Sequence, residues 1–301
     1  MIKMATTNLN KTCQSEYGQL EKVFLHPLIA AFRSQDYIDQ HWKSLNYLEA
    51  PDFDKGVMEY SDFRKLITEA NCEVLELEAT GQTGMDAMYC RDASIATDHG
   101  MILCNMGKGA RTGEPFMHRS IYNSLDIKIL GEIVAPGTVE GGDVAWIDEL
   151  TLFVGHTYRT NLEGIRQLRS LLSPFGITVI DFQMPHHKGP SDVFHLMSVL
   201  SPVDKDLAVV YSPFMPIYLR NLLLERGFDL VEVPDEEYES MGCNVLAIAP
   251  RKCLLVDGNP ITQSRLETAG CEVMAYNGKH MSVMGGGGPT CLTRPLRRRA
   301  I

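Results

Sequence analysis

Four stretches of the 301-residue chain follow one plan: a short apolar strand, a turn, a second apolar strand, a helix and a third strand. A repeated unit of this size cannot bury its apolar face alone and must stack against its copies, which narrows the possible folds sharply. The hairpins read "ASIATDHGMILCN" from Ala93, "VAWIDELTLFVGH" from Val144, "LMSVLSPVDKDLAVVYS" from Leu196 and "VLAIAPRKCLLVDG" from Val245. In each, two β-rich runs flank a turn carrying Asp, Gly, Pro or Lys. The helical segments that follow are "RSIYNSL", "TNLEGIRQLRSLLSPFG", "FMPIYLRNLLLERG" and "ITQSRLETAG". In the second of them Thr160 stands three residues before Glu163, a capping-box spacing. Leu162, Ile165, Leu168 and Leu172 recur there at helical period, and Gly176 supplies the stop. The strands "IKILGEIV", "ITVIDFQM", "DLVEVP" and "CEVMAYN" complete ββαβ units of roughly 50 residues.

A fifth unit assembles from the two chain ends. The N-terminal "QLEKVFLHP" and the C-terminal "TCLTRPL" make its hairpin, "YSDFRKLITEA" its helix and "CEVLELE" its third strand. Closing the circle this way removes an exposed sheet edge. No linker or low-complexity tract divides the chain, so residues 1–301 are expected to form a single domain of the α/β class. At the start of each hairpin stands a polar residue: Asp92, Glu140 with Asp143, His195, Asn244 and Cys291. Taking Asp143, the successive spacings are 51, 52, 49 and 47 residues. Equivalent positions of units arranged about an axis converge on it, so these side chains are expected to line one central pocket. Before Cys291 the chain reads "MGGGGPTC", and the glycines are expected to thin the wall so that a flat ligand can reach the thiol.

Composition excludes several function classes. A formal charge of -10 and an apparent pI of about 5.4 argue against a nucleic-acid surface, and the basic cluster Arg297, Arg298 and Arg299 lies at the extreme C-terminus. No apolar run has membrane-spanning length and the N-terminus lacks a signal-peptide core, so no membrane association and a cytoplasmic location are expected. Eight cysteines without CxxC pairs suit neither a zinc site nor a disulfide framework. His186 and His187 are adjacent and lack accompanying ligands, which fits a solvated loop better than a metal pair. Neither metal nor cofactor is expected.

The segments "SEYGQLEKVFLHP", "YCRDA", "VEGGDV", "FVGHTYRTN", "HLMS" and "GGGGPTCL", in this order, resemble the pentein superfamily of guanidine-modifying enzymes. That superfamily includes dimethylarginine dimethylaminohydrolase, arginine deiminase and the glycine amidinotransferases, and "VGHTYRTNLEG" is most similar to the first group. The resemblance implies a five-bladed α/β propeller of ββαβ units with pseudo-fivefold symmetry, a guanidino amino acid as substrate, and subunits paired in a homodimer. It implies a catalytic set of Cys291, His195 and Glu140. Arg159 and Arg111 match positions that bind an α-carboxylate, and Asp86 matches one near the α-amino group. Two positions depart from the pattern: Met197 stands where deiminases and amidinotransferases place Asp, and Gly286 where dimethylarginine dimethylaminohydrolases often carry Asp.

A guanidinium carbon is a weak electrophile and calls for a thiolate nucleophile. Cys291 is expected to attack it, and His195 to protonate the departing amine and then activate water. Asp92 is the expected clamp on the planar cation, since paired hydrogen bonds fix both its position and the face shown to sulfur. Asp143 is read as a turn former or a support for its neighbours. A deiminase or an amidinotransferase using the same site stays open, with a non-catalytic binding ring and a cysteine peptidase as more distant alternatives.

Overall fold

The computed structural model describes residues 11–76 and 83–300. Its strands form five small sheets, each built on an antiparallel hairpin whose second strand pairs in parallel with a third. Four sheets follow the chain: Ser94–Thr97, Gly100–Leu103 and Ile129–Glu132; Val144–Asp148, Thr151–His156 and Thr178–Gln183; Leu200–Asp204, Leu207–Val210 and Asp229–Glu232; Leu246–Ala249, Lys252–Val256 and Glu272–Tyr276. The remaining sheet joins the chain ends. Arg294–Arg299 runs antiparallel to Leu20–Leu25, which pairs in parallel with Glu73–Glu76, and the two-residue strand Lys11–Thr12 adds an outer edge. A parallel pair needs a crossover. Helices Phe53–Glu69, Glu114–Ser124, Leu162–Leu172, Ile217–Glu225 and Pro260–Thr268 supply the five.

Side chains alternate across a strand, and here both faces are covered, which explains why the strands read as nearly continuous apolar runs. Val144 and Trp146 pack with Ile95 and Ile102 of the preceding sheet, whereas Ala145 and Ile147 pack with Leu200 and Val210 of the following one. Val203 and Val209 meet Val245 and Leu255, and Leu246 and Leu254 meet Leu20 and Val23. Ala96 and Met101 share the last cluster with Cys13 and Leu296 from the chain ends. Each apolar cluster is thus held in common by two sheets, and the fifth links the terminal sheet to the first internal one.

Local signals mostly act as the sequence predicts, with three corrections. The helix Leu162–Leu172 is capped by Asn161, whose side chain accepts from Gly164 N–H, and not by Thr160. Thr160 instead accepts the backbone N–H of Glu140. Of the four-residue stripe on this helix, Ile165, Leu168 and Leu172 are buried but Leu162, at the first helical position, is 57% exposed. The helix predicted at "RSIYNSL" begins earlier, at Glu114, with Pro115 in its first turn. Gly176 does end its segment, with φ of 74°. Between the first strand and the Phe53–Glu69 helix the chain forms two short helices, Leu28–Phe32 and Gln35–His41. Among the described residues no helix is long and apolar enough to cross a membrane.

Two positions on one helix give a direct test of this packing. Leu168→Ala is expected to cost about 2–5 kcal/mol in denaturant unfolding, because its methyl groups leave a cavity between sheets. Leu162→Ala should stay within about 0.5 kcal/mol of the parent.

Candidate active site

Polar residues that open four of the five hairpins line one cavity. Asp92, His195, Asn244 and Cys291 line it together with Arg111 and Arg159, and its volume is about 120 Å³. Glu140 lies directly behind His195. Asp92, Glu140, His195, Asn244 and Cys291 each sit just ahead of a leading strand, whereas Arg111 and Arg159 lie between the second strand of a hairpin and the helix that follows it. Glu140 caps the short turn Gly141–Asp143 and His195 caps the turn Leu196–Ser198, so their side chains point off the end of the strands.

His195 is the electrostatic centre. Its Nε2 is 2.9 Å from Glu140 Oε2, and its Nδ1 is 4.0 Å from Asp92 Oδ1. Burial alone lowers an imidazole pKa. Here Asp143, Asp92 and Glu140 outweigh it and raise the group to about 9, so His195 is a cation at neutral pH. Glu140 is fully buried, which would raise its pKa, yet its bond to His195 and the nearby Arg111 and Arg159 hold it below the usual carboxylate range. Its other oxygen accepts the backbone N–H of Lys108 at 2.9 Å. Asp143 accepts from Leu196 N–H and the Thr157 hydroxyl, so it braces the His195 turn and does not face a ligand.

The motif "EGGD" has a steric cause beyond turn formation. A Cβ on Gly142 would lie 2.4 Å from His195 Nδ1 and 2.8 Å from Asp92 Oδ1, and one on Gly141 would meet the Arg91 carbonyl at 2.1 Å. The bare Gly142 N–H donates to Asp92 Oδ1 at 2.9 Å. Glycine here lets a carboxylate and an imidazole close on the backbone from two sides.

Cys291 is 8% exposed and faces the same cavity. Burial, with help from Asp92, raises its thiol pKa; hydrogen bonds from Asn244 and Thr290 oppose the rise. Asn244 Nδ2 is 3.3 Å from the sulfur, and the Asn244 side-chain oxygen accepts both Thr290 N–H and its hydroxyl. The glycine run serves the protein's own side chains. A Cβ on Gly285 would strike the Tyr89 hydroxyl at 1.9 Å, one on Gly287 the Tyr89 ring at 2.4 Å, and one on Gly288 the Asn244 amide at 2.6 Å. Gly286 has φ of 74°. The expectation of a thinned wall is thereby corrected: Tyr89 and Asn244 pack into the run, while Gly285, Gly286 and Gly287 still form part of the lining.

The other predicted binding residues are all at the cavity, already engaged with one another. Arg111 grips Glu114 through Nε and Nη2 at 2.9 and 2.8 Å, donates from Nη1 to Asp92 at 2.5 Å and from Nη2 to the Tyr89 carbonyl. Its charge is matched twice, so it orients Asp92 and is poorly placed for the α-carboxylate role expected of it. Asp86 pairs with Lys108 Nζ at 2.6 Å. Arg159 has Nη1 3.8 Å from Glu140 and Nη2 on the Asp192 carbonyl, and its Nε finds no partner among the described residues. It is the least committed of the three.

A family model for N,N-dimethylarginine dimethylhydrolase of the eukaryotic type matches residues 29–298. The chain belongs to this family. As a dimethylarginine dimethylhydrolase relative it is a hydrolase of amidino carbon–nitrogen bonds. Over 95% of both chains it is 27% identical to the uncharacterized protein YkgA of Bacillus subtilis. The dimethylarginine dimethylaminohydrolase of Pseudomonas aeruginosa is 22% identical over 80% of this chain and 89% of its own. The structure of a mutant of that enzyme complexed with citrulline has the same mixed α/β fold, with a TM-score of 0.74 and 19% identity over 93% of this chain and 99% of the other. So does the product-bound N-terminal domain of ArgZ, a cyanobacterial arginine dihydrolase, with a TM-score of 0.77 and 16% identity over 94% and 98%.

Within this family frame, Met197 lines the cavity as an apolar side chain where deiminases place Asp. Two contributors have no role in the sequence reading: Lys108 lies in no motif, and Tyr89 stands in "YCRDA" without an assignment. His187 corrects the reading of a solvated loop: it lines the cavity, with Phe194, Phe214 and Tyr238 around its ring. His186 is exposed and bonds the Tyr158 hydroxyl. No metal was expected, yet Asp92, Glu140 and His195 offer one ligand atom each within 4.8 Å of one another. Their closeness is accounted for by the bonds to Gly142, Arg111 and His195 described above. All eight cysteines are free, Cys13 half-buried and the others buried.

The raised His195 pKa is checked by NMR titration, with the imidazole of the ligand-free protein expected to titrate near 9. Its folded pKa exceeds the unfolded value of 6.5, so its stabilisation is complete below pH 6.5 and is lost as pH rises through about 9. Glu140→Gln should bring that titration down by roughly 1–3 pH units. Gly142→Ala should also disturb it by displacing the ring.

Proposed function

We propose that the chain hydrolyses the guanidino group of arginine or an N-methylated arginine, releasing ammonia or an alkylamine and leaving citrulline. The observation that carries this reading is the shared cavity of Cys291 and His195, with Asp92 and Glu140 on either side of the imidazole. The five sheets are read as five blades of an α/β propeller, supported by the five apolar clusters that link each sheet to the next.

In the free protein the thiol is neutral and His195 is charged. A bound guanidinium adds positive charge beside Cys291 and lowers its pKa, so the thiol releases its proton to solvent as the substrate binds and the thiolate forms where the substrate is; the proton is regained when the product leaves. Asp92, steered by Arg111 and Gly142, holds the planar cation. Sulfur attacks the guanidino carbon, the carbon–nitrogen bond to the leaving amine breaks, and His195 gives its proton to that amine. His195, now neutral, takes a proton from water as the water adds to the same carbon. The carbon–sulfur bond then breaks and the ureido product leaves. Arg159 is assigned to the α-carboxylate, and the Asp86–Lys108 pair to the amino-acid end more broadly.

Incubation with arginine, its monomethyl and asymmetric dimethyl forms, agmatine and guanidinoacetate should yield ureido product and free amine from at least one. No turnover across the panel rejects the hydrolase reading. Cys291→Ser should abolish turnover with an unchanged circular-dichroism spectrum, and acid quenching of the parent should leave an amidino adduct on the Cys291 peptide. Arg159→Ala is expected to raise KM for a guanidino amino acid roughly 10- to 100-fold with little change for a decarboxylated analogue. An equal rise for both would assign Arg159 elsewhere.

A further inference from the structure

Away from the cavity lining lies a second concentration of charge. Arg91, Arg294 and Arg298 are 1%, 5% and 0% exposed, and with them Glu16 is 6% exposed. Arg91 Nη2 donates to Glu16 Oε1 at 2.7 Å, and that oxygen also accepts Trp146 N–H at 3.2 Å. Neither Arg294 nor Arg298 has a carboxylate within ion-pair distance among the described residues. Their bonds go to carbonyls: Arg294 Nη1 to Arg91 and Ser94, Arg298 Nη1 to Gly18 and Ala247. Glu16 feels all three arginines, and the arginines feel one another, so they form one electrostatic group. Three guanidiniums against one carboxylate leave two buried positive charges uncompensated.

Five nitrogens of these arginines, Nε and Nη1 of Arg91, Nε of Arg294 and Nε and Nη2 of Arg298, have no protein partner among the described residues. Water can satisfy a hydrogen bond. It cannot cancel a net charge, and buried charges are tolerated when paired with an opposite one. We infer that Arg91, Arg294 and Arg298 form a buried site for a small inorganic anion of halide size. The neighbouring carbonyls of Ser94, Val144 and Ala247 come from the leading strands of three different sheets. These carbonyls already accept from the arginines, so an anion is held by the remaining N–H groups. An anion there ties the closing strand to the rest of the fold, a structural role separate from the chemistry at Cys291.

The test uses the whole protein and three salts. At constant ionic strength and pH, exchanging gluconate for chloride or bromide should raise the melting temperature saturably, by on the order of 3–5 °C. A crystal grown in bromide should show an anomalous peak at hydrogen-bond distance from Arg91 Nη1 and Arg298 Nη2. Arg298→Met removes one charge at similar volume and should abolish the halide dependence. A merely structural arginine would destabilise the variant equally in both salts and leave that dependence intact. Equal melting temperatures of the parent protein in chloride and gluconate, or no bromide peak beside these nitrogens, overturns the inference. Neither of these readouts needs the variant to fold.

Discussion

The pairing of the last strand with the first is the contact on which the arrangement rests. Arg294–Arg299 lies between Lys11–Thr12 and Leu20–Leu25, a union of segments more than 250 residues apart in sequence. Such a contact is reached only after a long loop is closed, and that entropy must be offset by what the closure buries. The apolar clusters on both sides of this sheet do so, one with Leu246 and Leu254 and one with Ala96 and Met101. Without the pairing, Cys291, three residues before the strand, would have no fixed relation to the rest of the site. With it, the Cys291 carbonyl accepts the backbone N–H of Arg91, the residue next to Asp92.

Around that frame, charges are placed in opposed pairs. His195 sits among three carboxylates, Arg111 between two, and Lys108 against Asp86. The result is a site whose polar atoms are mostly satisfied by one another and whose geometry is set before any ligand arrives. Preorganisation of this kind suits chemistry at a delocalised cation, where position and field matter more than new covalent partners. The cysteine is the exception. Burial and Asp92 raise its thiol pKa, and under the proposed mechanism its activation depends on a charge brought in by the substrate.

Glycines mark where this frame is tightest. Gly142 gives way to His195 and Asp92, and Gly285, Gly287 and Gly288 give way to Tyr89, Tyr47 and Asn244. In both places the missing side chain makes room for a residue from a distant unit. A glycine run is visible in sequence, but the identity of the group that fills the space depends on how the units meet.

The repeat, the order of its elements and the residues at each hairpin's start were legible because they depend on local rules: alternation, helical period, turn chemistry. The helical stripe at Ile165, Leu168 and Leu172 and the stop at Gly176 are of this kind. The partners were not legible. That Arg111 would be engaged by Asp92 and Glu114, that Asn244 would reach the Cys291 sulfur, and that Thr160 would brace Glu140 in preference to capping its own helix all follow from which sheets' ends face one another. Sequence determined the parts and their order along the chain, because backbone propensity and apolar pattern act over a few residues. Only the tertiary structure decided which charges neutralise which, because Coulomb and hydrogen-bond energies depend on distances through space that spacing along the chain does not encode.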